Sequence, residues 1–158
     1  MSTPDFVLSL REKIGTERLW LSGVTAVVVR GDDILLVRRA DTGAWTPVTG
    51  IIDPGEHPAD AAVRETLEEA GVVAVPERLA AVGVTDEIVY GNGDRAQYID
   101  HTFVMSHRAG EPHPADGENT EARWFSTTAL PPMSTEMTRR IEAALSDEVA
   151  ARFGTTPA

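Results

Sequence analysis

The 158-residue chain contains no cysteine. That absence removes disulfides, thiolate nucleophiles and thiolate metal sites at once, and it suits a reducing cytoplasm, the compartment expected here. Long apolar runs are missing too. No uncharged stretch reaches the roughly 18 residues that a membrane-spanning helix needs. The opening "MSTPDFVLSLREKIG" has no basic segment leading into an apolar one, so it does not read as a secretion signal, and no membrane association is expected. Basic residues are scarce: 14 Lys and Arg stand against 25 Asp and Glu, for a formal net charge of -11 and a pI near 4.7. Such a balance argues against long nucleic acid, which is gripped through clustered cations. A small anionic ligand remains compatible if a metal cation mediates the contact.

What is present suits one domain with its own core, since 42% of residues are hydrophobic and 25% charged. Phe6, Leu10 and Ile14 recur at four-residue steps and stop at Gly15, which predicts a short amphipathic helix. Residues 1–20 then form a lead-in with a stripe suited to a homodimer contact, and 21–158 form the main domain. "VTAVVVRGDDILLVRR" predicts a hairpin about a Gly-Asp-Asp turn. "ADTGAWTPVTG" reads as loop and residues 58–70 as helix. "LAAVGVTDEIVY" and "AQYIDHTFVMSH" read as strands joined at "GNGDR", followed by the polar loop "GEPHPADGEN" and the strand "EARWFS". A last helix carries Met137, Ile141, Leu145 and Val149 on one side, with Gly154 as its stop. Strands before and after a helix imply an α/β (α+β) architecture, a mixed sheet flanked by helices.

The run "GIIDPGEHPADAAVRETLEEAGV" places Glu65, Glu68 and Glu69 within about one helical turn. Pro58 suits a first helical position and Gly71 the left-handed residue after the last. At about 100° per residue from Glu65, Glu68 falls at about 300° and Glu69 at about 40°. Ala59, Val63, Thr66, Leu67 and Ala70 fall between about 100° and 200°, so the acids are expected to face away from the sheet. Arg64 borders the acidic face and is placed to pair with a carboxylate. A run of like charges is as a rule a solvated face. Here the preceding "GIIDPGE" supplies a tight loop and a fourth carboxylate, Glu56. Clustered hard oxygens are what Mg²⁺ or Mn²⁺ requires, and a divalent ion would offset the repulsion.

These residues resemble the signature of the Nudix hydrolases, with Gly50, Glu56, Arg64, Glu65, Glu68, Glu69, Gly71 and Val72 in the pattern's places. Thr66 occupies an aliphatic position, and Thr49 stands where many members carry glycine. The resemblance implies a Nudix-type α/β/α sandwich and water attack on a diphosphate linkage in a nucleotide or nucleoside diphosphate derivative. By matching position, Glu65 and Glu69 are direct metal ligands, and Glu68 binds a second ion or activates water. Glu56 supports the loop or a second ion, Arg64 orients carboxylates, and the Thr49 backbone carbonyl is a further ligand. Family members often draw an acid from a later loop before a Trp-Phe pair; Glu118 in "GENTEARWF" is that acid, with Glu121 as fallback. Mg²⁺ is the implied cofactor, with Mn²⁺ as substitute.

Arg38 and Arg39, at the end of a strand, are candidates for substrate phosphate, and Trp45 for stacking on a base. Each has a plain reading beside it: a solvated strand-end charge for at least one arginine, and core packing for the tryptophan. His101, Asp100 and Tyr98 lie on a strand and read as structural; Trp124 and Phe125 read as core. Tyr90 lies 18 residues after Val72, a spacing associated with dinucleoside polyphosphate hydrolases. The "SQPWPFPxS" run of NADH-type members, the proline of ADP-ribose hydrolases and the extended motif of coenzyme A hydrolases are absent. A Nudix-like domain that binds nucleotide and regulates a partner without catalysis is the alternative, but such domains usually lose signature glutamates. Isopentenyl diphosphate isomerase would need a cysteine, and messenger-RNA decapping more basic surface.

Overall fold

The computed structural model describes residues 3–154, so Met1, Ser2 and positions 155–158 of the expected lead-in and domain lie outside the described residues. The element order is α1 (Asp5–Ile14), β1 (Leu19–Arg30), β2 (Asp33–Arg39), β3 (Trp45–Thr46), β4 (Val48–Ile51) and α2 (Pro58–Ala70). Then come β5 (Val73–Val84), β6 (Ile88–Val89), β7 (Arg95–Ala109), β8 (Asn119–Ser126), α3 (Thr135–Leu145) and β9 (Arg152–Phe153). The sheet runs β3-β2-β1-β7-β5-β9, with β4 paired to β1, β6 to β7 and β8 to β2. β1 runs parallel to β7 and β5 parallel to β9, while the other pairings are antiparallel, so the sheet is mixed.

Burial explains the layering. Alternate residues of a strand face opposite sides. Val24, Ala26 and Val28 of β1 share a core with Ala61, Ala62 and Ala70 of α2. Val27 packs with Ile141, Ala143 and Ala144 of α3, and Leu19 and Leu21 with Val7 of α1. Thus α2 covers one face, and α1 and α3 the other. With both faces covered, β1 carries an unbroken buried run from Gly23 to Val28. Among the described residues, no helix is long and apolar enough to cross a membrane.

The Gly-Asp-Asp hairpin forms, with Val29 opposite Ile34 and Arg30 opposite Asp33. Beyond that pair β2 turns away to β8, and β4 takes its place against β1 from Gly23 to Ala26. The segment expected as loop therefore contains two strands; β4 follows no alternation of its own and is held by the edge β2 vacates. β5 begins at Val73, six residues before the expected strand, because bulges around Pro76 and Arg78 absorb a proline that breaks the local pattern. In α1 the buried residue is Val7, with Phe6 half-buried and Leu10 and Ile14 exposed, although the helix does close on Gly15. β1 runs through the expected boundary between 20 and 21.

The last helix also departs from expectation. It ends at Leu145 rather than running past Val149, which is exposed. Arg78 of β5 donates from Nη2 to the carbonyls of Ala143, Ala144 and Ser146 at 3.2, 3.0 and 2.8 Å. A cation on terminal carbonyls satisfies groups that another helical turn would otherwise cover. The chain beyond is free to add β9 beside β5.

Candidate metal and substrate site

The glutamate helix has the expected bounds. Pro58 opens α2, and Gly71 closes it with φ 66° and ψ 19°, its N–H donating to the Leu67 carbonyl at 3.0 Å. The direction of the acids is different. Glu65 is 0% and Glu69 3% exposed, whereas Leu67 is 50% exposed. The buried arc runs through Ala61, Ala62, Glu65, Thr66, Glu69 and Ala70, so two of the three acids point inward. The alanines are the reason: they are too small to mark an apolar stripe, yet they let the helix sit close to the sheet. Thr66 fits its buried place by donating its hydroxyl to the Ala62 carbonyl at 2.7 Å.

Glu65 lies under β4 at Gly50, where an added Cβ would overlap the Glu65 carboxyl. Its Oε1 accepts from Arg64 Nη1 at 2.8 Å, but Oε2 is buried without a hydrogen-bond partner. Burial pushes this carboxyl up to about 8 against the pull of the Arg64 charge. Arg64 also makes a fork to Glu56, with Nε and Nη2 at 2.9 and 2.8 Å, and reaches Glu68 at 3.2 Å and the Ile51 carbonyl at 3.1 Å. Glu56 in turn accepts from the Asp53 N–H at 3.1 Å. One guanidinium therefore ties the loop before α2 to three glutamates. It holds the Glu56 carboxyl below its usual range.

At the other end of α2, the polar loop before β8 docks on the last turn. The N–H groups of His113 and Ala115 donate to the carbonyls of Ala70 and Glu69, both at 3.1 Å. Gly71 makes room, since a Cβ there would overlap the His113 ring. This docking brings Asp116 and Glu118 to Glu69, with one carboxylate oxygen of each within 4.8 Å of the others. Asn119 donates its amide to Glu69 Oε2 at 3.0 Å. Burial pushes Glu69 up to about 7; the Asn119 bond works against that rise and the Asp116 charge adds to it. The three acids fit a divalent cation, since all are hard oxygen donors; Glu65, outside that group, has a buried carboxylate oxygen without a hydrogen-bond partner.

Glu69, Glu118, Thr49, Arg39 and Tyr90 line one cavity of about 700 Å³. Arg39 holds Asp41 in a fork at 2.9 and 2.8 Å, and the Tyr90 and Tyr98 hydroxyls lie 2.8 Å apart. The other named residues lie elsewhere. Arg38 points to the opposite side and pairs with Glu121 at 2.9 Å, which removes both from the cavity wall. Trp45 packs edge-on against Phe125 with ring centres 4.8 Å apart, in the core beneath α3. Glu68 is exposed and tied to Arg64, and Glu56 faces a smaller hollow on the α2 side. Sequence reasoning did not single out Asp116 or Asn119. The one signal was local: Asp116 sits two positions before Glu118 in the same loop.

An open mixed sheet between helices, with a carboxylate cluster built around buried Glu69 at the edge of a cavity, defines the class as an α/β/α protein with an acid-rich helix. The sequence matches the NUDIX domain over residues 20–145, and the chain belongs to that family. It is 31% identical over 113 residues to the NAD-capped RNA hydrolase NudC of Pseudomonas fluorescens, covering 68% of this chain and 37% of that protein. It is 35% identical over 115 residues to a putative 8-oxo-dGTP diphosphatase of Bacillus subtilis, covering 72% and 71%. The chain thus spans little more than a third of the NudC relative. In fold it is similar to the crystal structure of an ADP-ribose pyrophosphatase from Streptococcus suis: TM-score 0.65, 24% identity, covering 85% of this chain and 98% of that one.

Proposed function

We propose that the chain is a divalent-metal-dependent pyrophosphohydrolase that splits a diphosphate linkage in a small nucleotide or nucleoside diphosphate derivative. The observation that carries this reading is the carboxylate group of buried Glu69, half-buried Glu118 and exposed Asp116, the first two of which line the cavity. Glu69, Asp116 and Glu118 would hold Mg²⁺, with Mn²⁺ as substitute, and Glu65 and the Thr49 carbonyl are further donors. A bound Mg²⁺ neutralises phosphate oxygens and acidifies water. Water adds to phosphorus, the bridging P–O bond breaks, and each product leaves with a terminal phosphate. We assign the water's proton to Glu118, in the cavity wall beside Glu69. Arg64 positions Glu56, Glu65 and Glu68 rather than touching substrate. Arg39 supplies positive charge for phosphate once Asp41 yields its fork.

The names of the two relatives, a NAD-capped RNA hydrolase and an 8-oxo-dGTP diphosphatase, support a nucleotide substrate, and the "SQPWPFPxS" run expected of NADH-type members is absent. The test is a panel of nucleoside diphosphate derivatives with Mg²⁺ or Mn²⁺, with products identified in ¹⁸O-labelled water. We expect metal-dependent turnover with label in one product; no turnover of any member with either metal would overturn the reading. Exposed Leu8, Leu10 and Ile14 on α1 support a homodimer, to be checked by light scattering at micromolar concentration. A reducing cytoplasm suits the cysteine-free chain.

A further inference from the structure

The same cavity contains a second buried polar group, away from the glutamates. Asp100 of β7 is 5% exposed. Its Oδ1 accepts from Thr25 Oγ1 at 2.8 Å and from Arg140 Nη1 at 3.0 Å, and its Oδ2 from Thr102 Oγ1 at 2.9 Å. Arg140 of α3 also donates from Nη1 to Thr25 Oγ1 at 2.7 Å, and from Nη2 to Glu136, one turn earlier on the helix. Asp100, Arg140 and Glu136 all line the cavity, among apolar walls from Leu21, Val24 and Met137.

A buried ion pair is weak evidence for stability, because apolar packing of equal volume serves as well or better. This one is not sealed in a core, since it lines a cavity whose wall also carries Glu69 and Glu118 of the proposed diphosphate site. We propose that Asp100, Arg140 and Glu136 form the nucleobase subsite of this cavity and that it selects guanine. The inference rests on the diphosphate reading for the position of the phosphates, and its chemistry comes from counting groups. The cluster offers one cationic donor and two carboxylate acceptors. After the bonds above, Arg140 keeps its Nε–H for a ligand, and the carboxylates keep lone pairs.

Guanine presents one carbonyl acceptor, O6, beside two donors, N1–H and the 2-amino group. That is the complement of one donor and two acceptors. Adenine offers a single donor group on that edge. Cytosine has one donor with two acceptors, and uracil one donor between two acceptors. Each of these leaves a carboxylate facing an acceptor or nothing, and an unmatched buried polar group is what gives such sites their discrimination. A cavity of about 700 Å³ is within the range of small-ligand sites.

The test is calorimetric titration of the full chain, in the presence of Mg²⁺, with GMP, IMP, AMP, CMP and UMP. GMP should bind roughly tenfold or more tightly than AMP, with IMP, which lacks the 2-amino group, in between. Glu136→Gln, at a half-exposed position where the fold tolerates change, should bring GMP and AMP within about threefold of each other. In the same variant, KM for a guanosine substrate should rise with little change in kcat. Equal binding of GMP and AMP by the wild type, or an unaltered preference in Glu136→Gln, would overturn the subsite. If nothing in the panel is hydrolysed but GMP preference holds, the subsite stands and the hydrolase reading falls. Turnover without base preference sinks the subsite alone.

Discussion

In the cavity wall Asp100 is paired with Arg140, and its oxygens accept from Thr25, Thr102 and Arg140. Glu69, in the same wall, has the amide of Asn119 and the like charges of Asp116 and Glu118. Arg39 lends it only a distant charge, because its fork is committed to Asp41. In the first cluster the Asp100 charge is met by a cation of this chain. The second gathers three carboxylates, and that difference separates the proposed recognition element from the proposed metal site.

The comparison is tested first by removing one partner of the Asp100–Arg140 pair. Asp100→Ala leaves the largely buried Arg140 guanidinium with only half-exposed Glu136 as counter-charge, and about 3 kcal/mol of stability should go, a Tm drop of roughly 10 °C. A melting curve that matches the wild type would mean the pair does not carry the fold as described. In the open cluster the effect should fall on activity: Glu69→Gln should cut kcat roughly 10²-fold or more at saturating Mg²⁺, with an unchanged circular dichroism spectrum. Wild-type turnover in that variant would remove Glu69 from the site. Gly50→Ala, which drives a methyl into the Glu65 carboxyl, should cost about 1–3 kcal/mol and weaken Mn²⁺ binding, followed by thermal melts and by Mn²⁺ titration.

The smallest effect is in pH. The Glu65 and Glu69 carboxyls are raised in the folded protein to about 8 and about 7, above their ordinary value of 4.5. The folded state therefore favours their protonated forms. The stability they contribute is complete below about pH 4.5 and is lost as pH rises through 7 and 8. Without metal, Tm should fall by about 3 °C or more between pH 6 and pH 8.5. Mg²⁺ should flatten that slope, because it binds the ionised forms. Glu69→Gln should raise the metal-free Tm at pH 8.5, the opposite sign to Asp100→Ala. A Tm that climbs with pH in the metal-free protein would contradict the burial of these acids.

Much of α2 was legible along the chain. Proline at the first helical position and glycine in the left-handed conformation are local devices, and they bound the helix at Pro58 and Gly71 as expected. The spacing of Gly50, Glu56, Arg64 and the glutamates was legible for the same reason. The direction of the acids was not, because a helical wheel weighs side chains by their apolarity and alanines weigh little. Trp45 and Arg38 read as substrate groups because their chemistry suits a ligand; which side of a strand faces the cavity depends on where β2 leaves β1.

The sequence by itself determined where α2 starts and stops, the order of its acids and the hairpin about Gly31, since each depends on backbone preferences within a few residues. Only the tertiary structure decided that Glu65 and Glu69 point inward, that Asp116 joins them and that Arg140 meets Asp100. Those outcomes depend on contacts between residues up to about a hundred positions apart, and on which charges the assembled chain removes from water.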